Sequence, residues 1–196
     1  MNLVIRPLTM DDTIPYLNFF DREDHSDDLQ EHKCYCVCWS SDDHRQGLER
    51  MSTAAKRRDL AAQYVRTGLI RGYLAFDGTR VVGWCNANAR SEYTHSISWI
   101  RNLQELDTSN SDDPFVKSIF CFAIAKEYRR MGIATKLLEQ VCKDAFREGY
   151  QYVEAYPKRF LKKKDDFEGP LTMYLKQGFF IKEDIGHYLV VRKQLH

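Results

Sequence analysis

The residues best suited to chemistry surround one turn, Arg129-Arg130-Met131-Gly132-Ile133-Ala134, set between an apolar run and an amphipathic run. A helix start presents N–H groups that lack intrahelical partners, and such groups receive an anion well. Gly132 permits close backbone approach, and Arg129 and Arg130 add positive charge. The unit reads as a cradle for a diphosphate. It is not the phosphate loop of nucleotide hydrolases, which ends in Gly-Lys-Ser/Thr. Nor is it the dinucleotide fingerprint, which needs three glycines and a later acidic residue.

Two further clusters invite a chemical reading. Cys34, Cys36 and Cys38 alternate with Tyr35, Val37 and Trp39, so an extended segment would put all three thiols on one face. Zinc sites prefer cysteine pairs two to four residues apart, matched by a second pair. Cys85, Cys121 and Cys142 form no such pair, so the expectation is no metal. The thiol face then packs against a sheet or walls a pocket, where Tyr35 and Trp39 supply flat rings with polar handles. Asp21, Glu23, Asp24, Asp27, Asp28 and Glu31 form an acidic run. It is either a solvated loop or a mouth that attracts a cationic acceptor. His32 carries a side chain of a type that can serve as a base, but nothing positions it. No Ser–His–acid or Cys–His arrangement is legible, and no cysteine is assigned as a nucleophile.

Composition bounds the class. At 196 residues the chain is expected to form one domain, 1–196, with a sizeable core. A formal charge of +1 carries no nucleic-acid or membrane signature. No apolar stretch approaches the ~18 residues of a membrane span. The opening MNLVIRPLTMDD lacks a signal-peptide pattern. A cytoplasmic location is expected, with the six cysteines as thiols.

The elements that must position the cradle follow in order. Leu3-Val4-Ile5 reads as a strand stopped by Pro7. Thr9 and Asp12 resemble a capping box before a helix bearing Ile14, Leu17 and Phe20. A long helix is predicted over Gln46–Arg66, broken near Ser52-Thr53 and ended by Gly68, with Arg57 and Arg58 in solvent. Strands at 69–76 and 81–87 flank Asp77-Gly78, the strongest hairpin signal. Residues 93–113 show no clear period. Phe115–Ile124 suits a strand buried on both faces. Leu137, Leu138, Val141, Cys142 and Ala145 recur at helical spacing. A strand over 150–156, a short helix after Pro170 and a closing antiparallel pair complete the pattern.

Strand, Arg129-x-x-Gly132-x-Ala134, helix resembles the acetyl-coenzyme A motif of the GNAT N-acetyltransferase superfamily. Met173-Tyr174-x-x-x-Gly178-Phe179 resembles its short helix entering the sixth strand, at the family's order and separation. The resemblance runs over nearly the whole chain. It implies an α/β fold: a mixed, mostly antiparallel central sheet splayed between strands 4 and 5 and flanked by helices.

It also implies a chemistry. Acetyl-coenzyme A (acetyl-CoA) is the co-substrate. The amides of Arg129, Arg130, Met131, Gly132, Ile133, Ala134 and Thr135 surround its pyrophosphate. Phe122, Ala123 and Ile124 hold the pantetheine arm through main-chain hydrogen bonds, and a backbone N–H there polarises the thioester carbonyl. Tyr174 is the expected general acid toward the departing thiolate, since a phenol of pKa about 10 can donate to it. The general base stays open: Glu154, on the fifth strand, could reach the splayed site, Asp24, His25, Glu31 and His32 lie in the acceptor region, and a water chain is a further route. The expected reaction is direct transfer to a primary amine in a ternary complex. The acceptor is expected to be a small molecule, selected by Asp21–Trp39 together with parts of Glu92–Asp113. Protein or peptide acetylation and non-catalytic acyl-CoA binding are the alternatives. The resemblance leaves room for a homodimer and calls for no nucleic acid or membrane partner.

Overall fold

The computed structural model describes residues 2–23, 30–41, 49–103, 105–106, 115–160 and 167–196. Asp24, Asp27 and Asp28 of the acidic run, the first part of the predicted long helix, nearly all of 104–114 and the basic run at 162–164 lie outside these residues.

Seven strands form one sheet: β1 (Leu3–Pro7), β2 (Gly72–Asp77), β3 (Arg80–Ala89), β4 (Val116–Ile124), β5 (Tyr152–Ala155), β6 (Phe180–Asp184) and β7 (Leu189–Gln194), in the order β1-β2-β3-β4-β5-β7-β6. Only β4 and β5 run parallel. Among the described residues the helices are α1 (Thr13–Arg22), α2 (Ala54–Thr67), α3 (Ile97–Asn102), α4 (Ile133–Arg147) and α5 (Leu171–Lys176). Among the described residues no helix is long and apolar enough to cross a membrane.

Adjacent residues of β3 show how the layers form. A Cβ placed on Gly83 would meet Ile124, Ile133 and Ala75, so α4 covers that face. Trp84, the next residue, meets Tyr16 of α1 edge-on at 5.0 Å, so α1 covers the other. Alternation along the strand sends consecutive side chains to opposite layers. The period of α4 does the same work from the helix side: Ile133, Leu137, Leu138, Val141, Cys142 and Ala145 are all buried.

Local signals are obeyed where they are strong. The β2–β3 hairpin turns at Gly78, φ +60°, directly after Asp77. α2 begins at the predicted break, with the Thr53 hydroxyl accepting the Lys56 N–H at 3.2 Å, and ends on Gly68 in the left-handed region. Three expectations are corrected. Cys34–Trp39 is not extended: Tyr35 and Cys36 adopt φ +46° and +57°, and 37–39 form a 3-10 turn, so the alternation does not apply. Arg57 and Arg58 are only partly exposed, and both are engaged by other groups. Arg57 donates to the carbonyls of Lys33, Met51 and Glu31, and Arg58 pairs with Asp21 at 2.9 Å. The unplaced 93–113 region contains α3, capped by Ser96, whose side chain accepts the Trp99 N–H.

The N-terminal corner rests on Asp12, which is 4% exposed. Its carboxylate accepts from Arg6 at 2.7 and 2.6 Å and from the Thr9 N–H and hydroxyl at 2.9 and 2.7 Å. The Arg6 hydrogen bonds, outweighing burial, hold it below the usual carboxylate range. A depressed folded value stabilises above the unfolded value and is lost as pH falls through the folded one. Asp12→Asn is therefore expected to lower the unfolding free energy by about 2 kcal/mol at pH 7. Urea titrations should show the gap holding above the ordinary Asp range, about pH 3.9, and closing as pH falls below it.

Candidate active site

The site begins where β4 loses a neighbour. β4 pairs with β5 only from Val116 to Ile119, opposite Tyr152 to Ala155. Against β3 the register steps from Asn86–Cys121 to Ala87–Ile119, leaving Phe120 as a bulged residue. A bulge bends its strand and increases twist. Beyond it β4 runs on to Ile124 without β5, whose continuation stays with β7 through the Leu189 N–H to Pro157 carbonyl bond. The result is a splay between β4 and β5, with Phe122, Ala123 and Ile124 on its β4 wall.

β4 leads straight into the cradle. Arg129 is extended, Arg130 has φ +62° and Gly132 has φ +80°, after which α4 begins. Arg129, Arg130, Met131 and Gly132 are exposed, and Ala134 and Thr135 are partly so. No side chain caps α4, so the N–H groups of Ile133, Ala134 and Thr135 face outward as its first turn. A Cβ on Gly132 would meet no protein atom within 4 Å. It would instead project into the open cradle, and the left-handed φ disfavours any side chain there. Outward amides, two arginines and a clear approach suit the diphosphate of acetyl-CoA. The cradle is braced from the β2–β3 hairpin: Arg80 pairs with Glu127, and the Tyr128 hydroxyl donates to Asp77 at 3.0 Å. Arg129 Nε donates to the Ile124 carbonyl at 3.1 Å.

Tyr174 is brought to the splay. It is fully buried on α5, edge-on to Phe179 at 5.4 Å. Its hydroxyl donates to the Glu168 carbonyl at 2.5 Å, and the Phe122 N–H donates to the adjacent Phe167 carbonyl, also at 2.5 Å. A Cβ on Gly169 would lie 3.4 Å from Tyr174 Oη and 3.5 Å from Phe122 Cδ2. The β4 amide and the phenol therefore converge on one short stretch of chain. In the sequence, Glu168-Gly169-Pro170 stands out only through its resemblance to a subset of small-molecule acetyltransferases, which gives it no role in the site.

Glu154 lies in different surroundings. It is fully buried and paired with Arg192 at 2.6 Å, Arg90 at 3.1 Å and Lys182 at 3.4 Å, with the Tyr156 hydroxyl donating at 3.2 Å. Burial alone would raise its pKa, but Arg192, Arg90 and Lys182 outweigh that and hold it low. Tyr156 stacks on Phe120 at 4.9 Å and 18°, within an aromatic group that includes Trp99, Tyr93 and the partly exposed Trp39. Cys36 is buried, with Asn86 Nδ2 donating to its sulfur at 3.4 Å. Burial pushes the Cys34, Cys38, Cys85 and Cys142 thiols up, Cys38 and Cys142 to about 11. Among the described residues no group of three or more His, Cys, Asp or Glu side chains is arranged to hold a metal.

Breaking the Glu154 cluster should be costly. Glu154→Gln leaves the buried Arg90 and the partly exposed Arg192 facing a neutral amide, and is expected to destabilise by about 3 kcal/mol. Because the carboxylate is held low, chemical denaturation should show that loss undiminished down to about pH 4 and shrinking only below it.

A family model described as "Acetyltransferase (GNAT) family" matches residues 32–163. No curated protein matches the chain significantly in sequence. Solved structures share its fold at low identity. An aminoglycoside acetyltransferase in complex with coenzyme A aligns at 14% identity and TM-score 0.61, covering 98% of this chain and 95% of that one. The PaiA N-acetyltransferase of Thermoplasma acidophilum, also with coenzyme A, aligns at 14% and 0.54, covering 99% of each. A ribosomal-protein-alanine N-acetyltransferase of Brucella melitensis aligns at 16% and 0.53, covering 98% and 99%. The splayed strand, the outward amides of the turn and the family match agree, and this chain belongs to the GNAT acetyltransferase family, whose acyl donor is acetyl-CoA.

Proposed function

We propose that the protein transfers the acetyl group of acetyl-CoA to a primary amine of a small molecule by direct attack in a ternary complex. One observation carries this reading: the Phe122 N–H and the Tyr174 hydroxyl reach adjacent carbonyls of one segment, at the end of the strand that leads to the cradle. A thioester held there would have its carbonyl oxygen on the amide and its sulfur toward the phenol. The amine nitrogen bonds to the carbonyl carbon, and the amide N–H stabilises the resulting oxyanion. The carbon–sulfur bond then breaks, and the thiolate takes the proton of Tyr174. The nitrogen, cationic after attack, loses its proton to water, and water returns one to the Tyr174 phenolate. Glu154, held ionised by three cations, acts through the charge cluster behind β5 as a positioning residue rather than as proton acceptor.

The acceptor side is lined from α1, the Lys33–Ser41 segment and the aromatic group. Tyr16 donates to the Tyr35 carbonyl at 2.8 Å, and Tyr35 donates to Asp21 at 2.8 Å. Asp21 is already engaged by Arg58, so its charge is not available to steer a cation. The partly exposed ring of Trp39, backed by the buried Phe120 at 4.4 Å, favours an acceptor with a flat or apolar body. An amine panel that includes peptide N-termini distinguishes this from protein acetylation: a peptide as best acceptor replaces the small-molecule reading. Acetyl-CoA binding without thiol release across the panel replaces the enzyme by a regulator.

Two substitutions test the donor site. Gly132→Trp fills the cradle, and acetyl-CoA affinity by calorimetry should fall about tenfold for each charge-assisted hydrogen bond lost. An unchanged affinity in a folded variant removes the cradle from the site. Tyr174→Phe keeps the ring and removes only the hydroxyl. With a saturating acceptor its turnover should drop ~10²-fold, while acetyl-CoA affinity does not fall. Wild-type turnover with chemistry rate-limiting would leave Tyr174 a packing residue.

A further inference from the structure

We infer that Phe167–Gly169 is a self-inhibitory strap: it occupies the seat of the acyl group, and acetyl-CoA enters by displacing it. The inference rests on the donor site proposed above. The Phe122 N–H has one proton, and the Phe167 carbonyl takes it at 2.5 Å. A thioester oxygen bound to that amide would have to stand at the same point. The Tyr174 hydroxyl likewise has one proton, and the Glu168 carbonyl takes it at 2.5 Å. Both groups needed by the reaction are thus satisfied by successive carbonyls of one segment.

The strap fits too closely to share the space. A Cβ on Gly169 would come within 2.8 Å of Met173 Cε, and Phe167 packs against the main core. Gly169 has φ +75°, which turns the chain so that the carbonyls before it face the splay. Outside the splay, Lys158 pairs with the Glu168 carboxylate at 3.6 Å, joining the strap to the chain that leaves β5. Among the described residues nothing, the strap included, comes within 4 Å of a Cβ built on Gly132, so the strap opposes the acyl end of acetyl-CoA and not its diphosphate. A binding-competent state populated in only part of the molecules weakens the apparent affinity by that fraction.

The test compares two ligands on the full chain by calorimetry: acetyl-CoA, and adenosine 3′-phosphate 5′-diphosphate, which keeps the diphosphate but lacks the pantetheine arm. Lys158→Met removes the Glu168 ion pair and should tighten acetyl-CoA about threefold. Gly169→Ala makes the left-handed turn unfavourable and should tighten it by about fivefold. Neither should move the nucleotide fragment by more than about twofold, because the fragment does not reach the strap. An unchanged or weakened acetyl-CoA affinity in folded variants, with the fragment unaffected, overturns the strap and leaves the donor site standing. Equal tightening of both ligands also overturns it, since the effect would not be confined to the acyl end. If wild type and variants bind neither ligand, the donor site fails and the strap fails with it.

Discussion

The structure turns on a run of backbone that has a neighbour on one side only. Buried amide and carbonyl groups must be paired, yet β4 outlasts β5 by the stretch from Phe120 to Ile124. The bulge at Phe120 bends β4 away from its parallel partner, and β5 continues with β7 instead. Polar backbone inside a folded protein is thereby left for something other than a strand. The rest of the site follows from that constraint, because a ligand whose amide and thioester groups imitate a strand can fill the gap. α5 and Tyr174 sit where such a ligand would end, and the cradle where it would begin.

The two faces of the splay are built from different materials. On the α4 side it meets Phe122, Met173 and Tyr174 beside the Gly169 turn. On the other side the rings of Phe120 and Tyr156 stack across the place where β4 and β5 part. Stacked rings hold two strand ends together without backbone hydrogen bonds. The Glu154 cluster lies next to them and ties β5 to β6 and β7 through Lys182 and Arg192. Charge and aromatic contact thus keep the divergent strands in register where the sheet itself cannot.

What was legible in the sequence was what depends on nearby residues. The turn at Arg129–Ala134, the Asp77-Gly78 hairpin, the break at Thr53 and the short helix bearing Tyr174 each carry their own chemistry within a few positions. The Cys34–Trp39 alternation misled because Tyr35 and Cys36 take left-handed φ without a glycine to signal it. α3 was missed because it is six residues long and starts in a stretch with no period. Arg57, Arg58 and Glu154 were recognised as charged groups, but their partners stand far off in sequence. The bulge at Phe120 was invisible because it is a property of two strands and not of one. The contact of Phe167 and Glu168 with the site belongs to the same class.

The pairing of Arg80 with Glu127 and of Tyr128 with Asp77 has a consequence for the cost of ordering the cradle. A turn with two left-handed residues, held by its own backbone alone, would sample many shapes and have to be frozen by its ligand. Here the hairpin loop acts as an abutment, so the conformational entropy of the turn is lost when the sheet folds. Binding then starts from a preorganised row of amides, and less of the interaction energy is offset by ordering. Stiffness at the end of β2 and β3, remote from any reacting atom, is in this sense part of the affinity for a diphosphate.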